Sequence, residues 1–586
     1  MDLEPFAMIV RQSLHNSRID VTTAPAPVPA FGSDSIALLL RQLGIVWLAI
    51  NPGASFRGLH DSVVNLLGNR DPRLLVTLHE AQAVAIAHGY AKVTGQPMGV
   101  VLHANVGLMN AVMAIYNAWA DRVPMLILGA TGAVDAARRR PWIEWIHTSR
   151  DQAALVRPFV KWDDQPASVP AAAESLLRGW LMTRTEPQAP VYICLDVDLQ
   201  ERALPSPPPP LPDVTRYAAA GAPQPSNTDI AVANRILESA GRPLVLVGRH
   251  RRDEDSWRRR IALVESLGAA VICDQKCGVG FPSTHPRFVA APAQYFDARS
   301  LNVLNDADAV LSLDWPDVAG TLAQRQDKGN GLKTIVVSPD ERLHNGWSLD
   351  HFPLPEADVR IPVHPDAATA ALTAERRQAG TPWPLPPQAQ AEIAARGKID
   401  LPALAQAFER VRGERRVCIT RLPFGWPEGA TRFTGPLDCI GYDGGGGIGS
   451  TPGITVGAAL GLRGSGRLPL AILGDGDLLM GSQALWTAAA ERLPALFIVN
   501  NNRSFYNDVE HQERVAKHRG RPVENRNIGM AISDPEVDLC AMARSYGLNA
   551  FGPITDIAEL PGALEAAFAA AEAGATVLVD VVVPRG

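Results

Sequence analysis

Short, almost wholly apolar runs recur along the chain and alternate with longer alanine-rich stretches. Continuous apolar strands separated by helices are typical of parallel sheets that helices cover on both faces. The pattern therefore predicts an α/β protein with three tandem domains, each with a central, mostly parallel sheet flanked by helices. The predicted strands are 46–50, 98–103, 125–129 and 191–197, then 243–248, 269–274, 309–314 and 334–338, and finally 470–476, 495–501 and 576–583.

Two proline-rich stretches, 204–226 and 379–394, divide these groups of strands. Proline density favours an extended spacer over a helix or a central strand. We therefore expect an N-terminal arm at 1–30, a first domain at 31–203, a central domain at 227–378 and a last domain at 395–586.

The composition of the 586 residues narrows the function classes. With 46% hydrophobic and 20% charged residues, the chain can build several packed cores and is not largely disordered. A formal net charge of −6 gives no overall positive field for nucleic acid or an anionic membrane. No apolar run approaches the roughly 20 residues that span a bilayer. Six scattered cysteines favour reduced thiols, so we expect a cytoplasmic protein. From its charge and the length of its apolar runs, we expect it to bind neither nucleic acid nor membranes.

The clearest chemical pattern lies in the last third. A Gly-Asp-Gly turn at 474–476 ends one apolar run, and three asparagines at 500–502 end the next. Parallel strands end at the same edge of a sheet, so the Asp475 carboxylate and the Asn502 carboxamide can converge there. Hard oxygen ligands suit Mg²⁺ bound to phosphates, and glycines let backbone N–H groups approach a diphosphate. The pattern predicts a site for a metal and a diphosphate.

The order of these two motifs, with a strand, a helix and a strand between them, resembles the thiamine diphosphate (ThDP) enzymes. This family includes acetolactate synthase, pyruvate decarboxylase and benzoylformate decarboxylase, and the last is the closest in motif. The family binds the cofactor's pyrimidine in the first domain, and residues 74–132 resemble that domain, with Glu80 before a predicted helix. The resemblance implies that Glu80 hydrogen-bonds the pyrimidine, and that catalysis passes through a C2 ylid and an enamine.

The resemblance also implies the cofactor and metal ligands. In the glycine run 442–461, the Gly446 carbonyl would receive the pyrimidine amino group, and Ile448 would be the apolar wedge that bends ThDP. Mg²⁺ would be held by Asp475, Asn502 and the main-chain carbonyl of Ser504. Further cofactor contacts are expected from Gly474, Gly476, Asp477, Phe505, Asn51 and Pro52.

Asp477 departs from the family, where a small Ser or Ala is common at this position. A carboxylate beside a diphosphate would be repelled unless it turns away or joins the second coordination shell of the metal. Its role stays open at this stage.

Two histidines resemble the active-site pair of benzoylformate decarboxylase, which moves protons around the reaction intermediates. His103 follows an apolar run in the first domain, and His285 follows a Gly/Pro loop in the central domain. The ordinary pKa of imidazole suits proton exchange near neutral pH. Either histidine could instead be a structural hydrogen-bonding residue, and relatives exist in which the residue matching His285 is not catalytic.

Two departures from the family pattern and one basic segment leave the substrate open. Ala54 stands where benzoylformate decarboxylase carries a substrate-binding serine, with Ser55 one residue later. Residues 421–423 replace a short polar segment that contacts the diphosphate in relatives, where Arg421 could supply a charge or the loop could be remodelled. The basic segment 511–521 could attract an anionic substrate, or could be an ordinary solvated helix.

The resemblance implies a ThDP- and Mg²⁺-dependent lyase that decarboxylates a 2-oxo acid. The alternative is a carboligase of the acetolactate synthase or benzaldehyde lyase type, and a remote one is a non-catalytic subunit. The central domain has no GxGxxG motif after a strand, so FAD is not expected. The expected partners are a small, anionic carbonyl substrate and further copies of the chain, as a homodimer or homotetramer, because the family shares its cofactor between two chains.

Overall fold

The computed structural model describes residues 27–218, 221–293, 295–326, 331–340, 353–372, 384–385 and 397–584. Within these ranges the chain forms three sheets of parallel strands flanked by helices, which confirms the predicted fold class. Residues 1–26 of the predicted arm and most of the predicted spacer at 379–394 lie outside the described residues. The domain boundaries stay predictions.

The first sheet has the strand order β2-β1-β3-β4-β6-β5, and all its pairs are parallel. Its strands are β1 (Trp47–Ile50), β2 (Arg73–Val76), β3 (Met98–Leu102), β4 (Met125–Thr131), β5 (Trp162–Asp164) and β6 (Pro190–Asp196). The helices are α1 (Gly32–Gln42), α2 (Arg57–Asp61), α3 (Glu80–Thr94), α4 (Ala104–Ala120), α5 (Ile143–Ile146), α6 (Val169–Arg184) and α7 (Val197–Glu201).

The second sheet has the order β12-β11-β10-β7-β8-β9, again all parallel. Its strands are β7 (Pro243–Val247), β8 (Ala270–Cys273), β9 (Phe288–Ala290), β10 (Ala309–Leu313), β11 (Lys333–Val337) and β12 (Val359–Ile361). The helices are α8 (Asn227–Ser239), α9 (Glu254–Leu267), α10 (Ala298–Asp306), α11 (Val318–Ala323) and α12 (Pro365–Ala371).

The third sheet has the order β13-β14-β15-β17-β16, also all parallel. Its strands are β13 (Val417–Arg421), β14 (Leu468–Gly474), β15 (Ala495–Asn501), β16 (Asn549–Ile554) and β17 (Thr576–Val582). The helices are α13 (Leu401–Arg412), α14 (Thr451–Gly461), α15 (Asp475–Gly481), α16 (Gln483–Ala490), α17 (Tyr506–His518), α18 (Leu539–Ser545) and α19 (Leu560–Glu572). No helix in the described ranges is both long and apolar enough to cross a membrane.

Helices α3 and α14 join the first sheet to the third through a close backbone contact. A Cβ atom at Gly89 would lie 1.9 Å from the carbonyl oxygen of Ile454, and one at Gly457 would lie 1.9 Å from that of Ile86. Only glycine fits such an approach of two backbones. The middle of α3 is thereby held against α14, and Gln82 at the start of α3 donates to the Gly449 carbonyl of the glycine loop (443–450) that precedes α14.

A buried charge cluster holds the same junction from the other end of α3. The Lys92 ammonium donates to Asp121 Oδ2 at 2.5 Å and to the Tyr442 carbonyl at 2.7 Å, and His88 Nε2 lies 2.8 Å from the same carboxylate oxygen. Burial alone would raise the pKa of Asp121, but Lys92 and His88 outweigh it and hold that pKa well below its usual range. The cluster therefore fixes the end of α4 and the residue that precedes the glycine loop.

A second ion network joins the first sheet to the central one. The Arg122 guanidinium, just after α4, binds Asp340 with an Nε–Oδ1 distance of 2.7 Å. Arg249 Nη1 lies 2.9 Å from the other Asp340 oxygen and 3.4 Å from Asp314. Each of these side chains is largely buried, so the network ties α4 to the strand ends of the central sheet.

Candidate functional site

Glu80 is the first residue of α3 and is 7% exposed. The helix is capped by His79, whose side chain accepts from the Ala81 N–H. Asn110 Nδ2, on α4, donates to Glu80 Oε2 at 3.0 Å. A Cβ atom at Gly107 would lie 3.2 Å from Glu80 Oε1, so glycine leaves room for the carboxyl group. One amide thus orients a buried carboxyl group between the starts of α3 and α4.

His103 lies between β3 and α4, close to Glu80. Its Nδ1 is 2.8 Å from Ser55 Oγ, and its ring packs on Gly53, where a Cβ atom would lie 2.2 Å from Cγ. The next residue, Ala104, has a φ of +39°, a conformation that L-residues rarely adopt. The engaged Nδ1 leaves Nε2 as the ring nitrogen for a reacting group.

Burial lowers the pKa of His103, and the charges of His147 and Arg140 lower it further, while the Glu80 carboxylate acts in the opposite direction. The neutral imidazole is therefore favoured at neutral pH. A neutral ring next to a buried carboxyl group can accept a proton and return it.

His147 is a neighbour that the sequence analysis missed. Its ring lies edge-on to His103 with the ring centroids 4.8 Å apart. It follows α5, which is held to α4 by Asn105 Nδ2 donating to the Ile146 carbonyl at 3.3 Å. The segment follows the end of β4, and β4 pairs with β3, the strand before His103. The shared-edge argument used for Asp475 and Asn502 does not reach it, because a loop and α5 separate His147 from Thr131 at the end of β4, and no spacing in the sequence marks it.

A cleft of about 380 Å³ lies between the end of β1 and α2, and its lining includes Gly53, on which the His103 ring packs. The predicted contact Pro52 lines it, and Asn51 Nδ2 donates to the Thr77 carbonyl at 3.0 Å. Ala54 also lines this cleft, while the Ser55 hydroxyl is buried against His103. The hydroxyl closest to the family's serine position is therefore used to orient a histidine. The full lining is Ile50, Pro52, Gly53, Ala54, Phe56, Arg57 and His60.

The predicted metal ligands come together at the edge of the third sheet. Strands β14 and β15 pair with Gly474 opposite Asn500, so Asp475 and Asn502 follow neighbouring strand ends. The Ser504 N–H donates to Asn502 Oδ1 at 3.0 Å across a turn in which Arg503 has a φ of +57°.

Asp475 has the properties of an anionic metal ligand. It is 3% exposed, and its Oδ1 has no hydrogen-bond partner in the described part of the chain. Burial raises its pKa to about 6, although the backbone N–H groups of Asn502 and Ser504 act against this. A buried carboxylate oxygen that lacks a partner is costly, and a divalent cation would remove that cost.

The donor set around Asp475 fits Mg²⁺. In the part of the chain that the structure describes, no cluster of three or more His, Cys, Asp or Glu side chains could hold a metal. A metal at Asp475 would therefore take amide and carbonyl oxygens from Asn502 and Ser504 and leave positions for phosphate oxygens. Mg²⁺ prefers this combination, whereas Zn²⁺ prefers nitrogen and sulfur ligands.

The backbone of the glycine loop before α14 is held by hydrogen bonds to side chains. Gly446 has a φ of +76° and donates its N–H to Asp443 Oδ1 at 2.8 Å. Asn117 Nδ2, on α4, donates to the Gly447 carbonyl at 2.9 Å. Ile448 is half-buried on the same loop. The loop is therefore ordered by this chain's own side chains, and α4 takes part in holding it.

Asp477 turns towards the glycine loop. Its Oδ1 accepts from the Gly449 N–H at 2.7 Å, its Oδ2 accepts from the Thr451 hydroxyl at 2.6 Å, and Arg421 Nε lies 3.9 Å away. Both carboxylate oxygens of Asp477 therefore have partners in the glycine loop and at the start of α14. Gly474 and Gly476 flank the turn, and the ring of Phe505 packs so closely on Gly476 that a Cβ atom there would lie 2.7 Å from Cε1.

His285 is not brought together with these residues within one chain. Its Nε2 lies 3.3 Å from Glu265 Oε1, its Nδ1 accepts from the Arg287 N–H at 3.1 Å, and its ring lies edge-on to Phe281. These partners all belong to the central part of the chain.

The basic segment 511–521 forms the second half of α17 and the turn after it, and its basic side chains are exposed. Lys517 pairs with Glu513 at 2.5 Å. Most of its positive charge faces solvent.

Family comparisons match both ends of the chain. Residues 31–155 match the profile of the thiamine pyrophosphate enzyme N-terminal TPP binding domain, and residues 425–581 match that of the C-terminal TPP binding domain. These ranges contain Glu80 and His103 on one side and the glycine loop with Asp475 and Asn502 on the other.

Curated relatives span nearly the whole chain. Benzoylformate decarboxylase of Pseudomonas aeruginosa is 28% identical, covering 91% of this chain and 95% of the relative. The putative acetolactate synthase large subunit IlvX of Mycobacterium tuberculosis is 25% identical, covering 94% and 99%. The probable 2-ketoarginine decarboxylase AruI of P. aeruginosa is 28% identical, covering 91% of both chains.

Solved structures share the fold. The ThDP-dependent 4-hydroxybenzoylformate decarboxylase of Rhodococcus jostii RHA1 superposes with a TM-score of 0.76 at 21% identity, covering 95% of this chain and 99% of that one. Benzoylformate decarboxylase of Polynucleobacter necessarius gives a TM-score of 0.78 at 20% identity with the same coverage.

Proposed function

Because the chain belongs to the thiamine diphosphate-dependent enzymes, whose members among its relatives are decarboxylases and synthases, we propose that it is a Mg²⁺-dependent lyase that decarboxylates a 2-oxo acid. The observation that carries the proposal is the joint position of Glu80 and His103 around Gly107. A Cβ atom there would lie 3.2 Å from Glu80 Oε1 and 3.3 Å from His103 Cβ.

In this proposal the last domain anchors the cofactor. Asp475, Asn502 and the Ser504 carbonyl hold Mg²⁺, while the Gly446 carbonyl and Ile448 bind and shape the cofactor. The unpartnered, buried Oδ1 of Asp475 supports this assignment. When bound, ThDP would supply a carbon nucleophile that adds to the substrate carbonyl and a cationic ring that takes up the electron pair left behind when CO₂ departs.

The first domain moves the protons. Glu80 gives and takes a proton at the pyrimidine, and Asn110 keeps its carboxyl group oriented. His103 first takes up a proton at Nε2 and then passes it to the carbon that has lost CO₂, because Ser55 occupies Nδ1. The half-buried position of His103 limits access of water to this exchange.

His285 is kept as the candidate second proton carrier, which would have to reach the site of another chain. Substitution His285→Gln is then expected to lower kcat in a protein that stays folded. Circular dichroism and thermal unfolding measure the folded state. Unchanged kcat in a folded variant would remove His285 from the mechanism.

A panel of 2-oxo acids tests the reaction. The pure protein, with ThDP and Mg²⁺, is incubated with aromatic, aliphatic and guanidino 2-oxo acids, with and without an acceptor aldehyde. Release of CO₂ with an equal amount of free aldehyde supports the decarboxylase. Absence of turnover across the panel, with no thermal stabilisation by saturating ThDP and Mg²⁺, would overturn the proposal.

Substitution Glu80→Gln is the matched mechanistic test. The amide cannot exchange the proton, so kcat is expected to fall about 10²- to 10⁴-fold with the best substrate. Glu174→Gln, in α6 of the same sheet, serves as the control and leaves kcat unchanged. Wild-type turnover in Glu80→Gln would contradict the role given to this residue.

The second candidate is a carboligase, in which a second carbonyl compound is captured in place of the proton. Ala54 favours it, because no hydroxyl is present at that position to bind a substrate carboxylate, and one of the relatives is a putative acetolactate synthase. An acyloin or acetohydroxy acid as the main product of the same panel would select this candidate.

The active unit is proposed to be at least a homodimer. One face of α4 exposes Val106, Met109 and Met113, of which Met109 is 52% exposed. Met480, in α15 beside Gly449, is exposed to a similar degree. Apolar side chains grouped in this way are typical of a surface covered by another chain.

A further inference from the structure

The guanidinium of Arg421 is buried at the end of β13, beside the glycine loop. Arg421 is 8% exposed, and its guanidinium carbon lies 4.1 Å from the ring centroid of Tyr442 and 5.3 Å from that of Phe424. Planar stacking of this kind fixes the orientation of a guanidinium and suits arginine rather than lysine.

Among the residues that the structure describes, no hydrogen bond from this guanidinium is found. Its nearest anionic neighbours are Asp477 Oδ2 at 3.9 Å and Asp443 Oδ2 at 4.0 Å, both beyond hydrogen-bond range. A guanidinium has five N–H donors. None of the Arg421 nitrogens is among the fully buried side-chain atoms that lack a partner, so its donors remain accessible from outside the chain. This arrangement points to an acceptor that comes from outside the chain.

The two carboxylates already have other partners. Asp443 Oδ1 accepts from the Gly446 N–H, and Asp477 accepts from the Gly449 N–H and the Thr451 hydroxyl. They therefore neutralise the guanidinium by charge and leave its donors free. Because Asp477 directly follows the 474–476 turn, the guanidinium lies beside the place where the last domain is proposed to hold phosphate.

We propose that Arg421 donates hydrogen bonds to the diphosphate of the cofactor, and that Asp477 is the counter-charge that holds the guanidinium in place. The inference rests on the proposed function, because it needs ThDP as the ligand. It joins two departures from the family pattern, the arginine at 421 and the aspartate at 477, into one pair.

Calorimetric titration of ThDP in the presence of Mg²⁺ tests this pair without any turnover. Arg421→Gln is expected to weaken ThDP binding by about 10- to 100-fold, because charge-assisted hydrogen bonds to an anion are lost. Thiamine monophosphate is titrated in parallel. The preference of the wild type for the diphosphate over the monophosphate should shrink in the variant.

The double variant Arg421→Gln/Asp477→Ser distinguishes a contact of Arg421 with the diphosphate from neutralisation of the Asp477 charge. If Arg421 contacts the diphosphate, the double variant binds ThDP as weakly as Arg421→Gln does. Restoration of wild-type affinity in the double variant would overturn the proposal, since Arg421 would then only balance Asp477. Unchanged affinity in Arg421→Gln itself would overturn it as well.

Arg432→Gln is the control, because this guanidinium is exposed and pairs with Glu409 and Glu414 away from the loop. It should bind ThDP like the wild type. Should Arg421→Gln not fold by circular dichroism, Arg421→Lys carries the test: weaker binding than the wild type supports the proposal, and equal binding overturns it. A wild-type protein that does not bind ThDP would instead refute the proposed function.

Discussion

The proton affinity of His103 depends on its neighbours from three segments. Ser55 holds one ring nitrogen, His147 lies against the ring edge, and Glu80 approaches from α3. Burial and the positive charges nearby favour the neutral ring, while the Glu80 carboxylate favours the protonated one. The net effect favours a neutral His103 imidazole, which can accept a proton, next to the proposed reaction centre.

Substitution His147→Gln is expected to raise the pKa of His103, because a group that lowers it is removed. The limb of the pH profile of kcat/KM that reports His103 should then move to higher pH. Steady-state kinetics in buffers of constant ionic strength measure the shift. They cover about pH 4.5 to about pH 8.5, which is about two units on either side of the ordinary pKa of imidazole.

The exposed His518 provides the control for this experiment, since His518→Gln removes an imidazole from α17. Its profile should match that of the wild type. A limb that stays in place in His147→Gln would show that the two rings are in contact without affecting the titration of His103.

At the scale of elements, the sequence predicts the inner strands and misses the outer ones. All eleven predicted strands are present, with ends that differ by at most two residues. The six strands it misses are β2, β5, β9, β12, β13 and β16, which are the two outermost strands of each sheet. An inner strand is covered on both faces and reads as a continuous apolar run, whereas an edge strand such as Trp162–Asp164 carries polar residues.

The site was predictable to the extent that it depends on strand ends. Asp475 and Asn502 converge as expected, because parallel strands fix that edge. The contacts of Ser55, Asn110 and Arg421 depend on how helices and loops pack, and no spacing in the sequence encodes them. The roles of the predicted site residues stay predictions.

The Lys92 cluster allows a stability prediction at this scale. Lys92→Met removes the ammonium that pairs with Asp121 and leaves a buried carboxylate with His88 alone. The free energy of unfolding should fall by about 3–5 kcal/mol, as for other buried pairs that lose one partner. Urea unfolding followed by fluorescence measures it. Lys333→Met, at an exposed pair with Asp358, should change the midpoint little, and equal midpoints for both variants would contradict the prediction.

At the scale of the whole molecule, the predicted sharing of the cofactor between chains sets the smallest active unit. In a single chain, α3 and α4 touch the glycine loop through Gln82 and Asn117, yet α4 also exposes the apolar face around Met109. A second chain that covers this face would complete the site from both sides.

Mixing two inactive chains tests this arrangement. Glu80→Gln impairs the first-domain half and Asp475→Asn the last-domain half, so a shared site would leave one intact site in each mixed dimer. Unfolding and refolding the variants together, or expressing them together, should restore about a quarter of the wild-type activity. No activity in verified mixed dimers would place both halves of each site in the same chain.

The two ends of α4 serve different purposes. His103 precedes its first residue, and Arg122, which binds Asp340 of the central sheet, follows its last. A helix of 17 residues is about 25 Å long and nearly rigid along its axis. The ion pair with the central sheet thereby helps to hold the helix that positions His103.

Loss of this ion pair should make the whole helix more mobile. Arg122→Gln should therefore speed amide hydrogen exchange at residues 104–108 as well as around the broken ion pair.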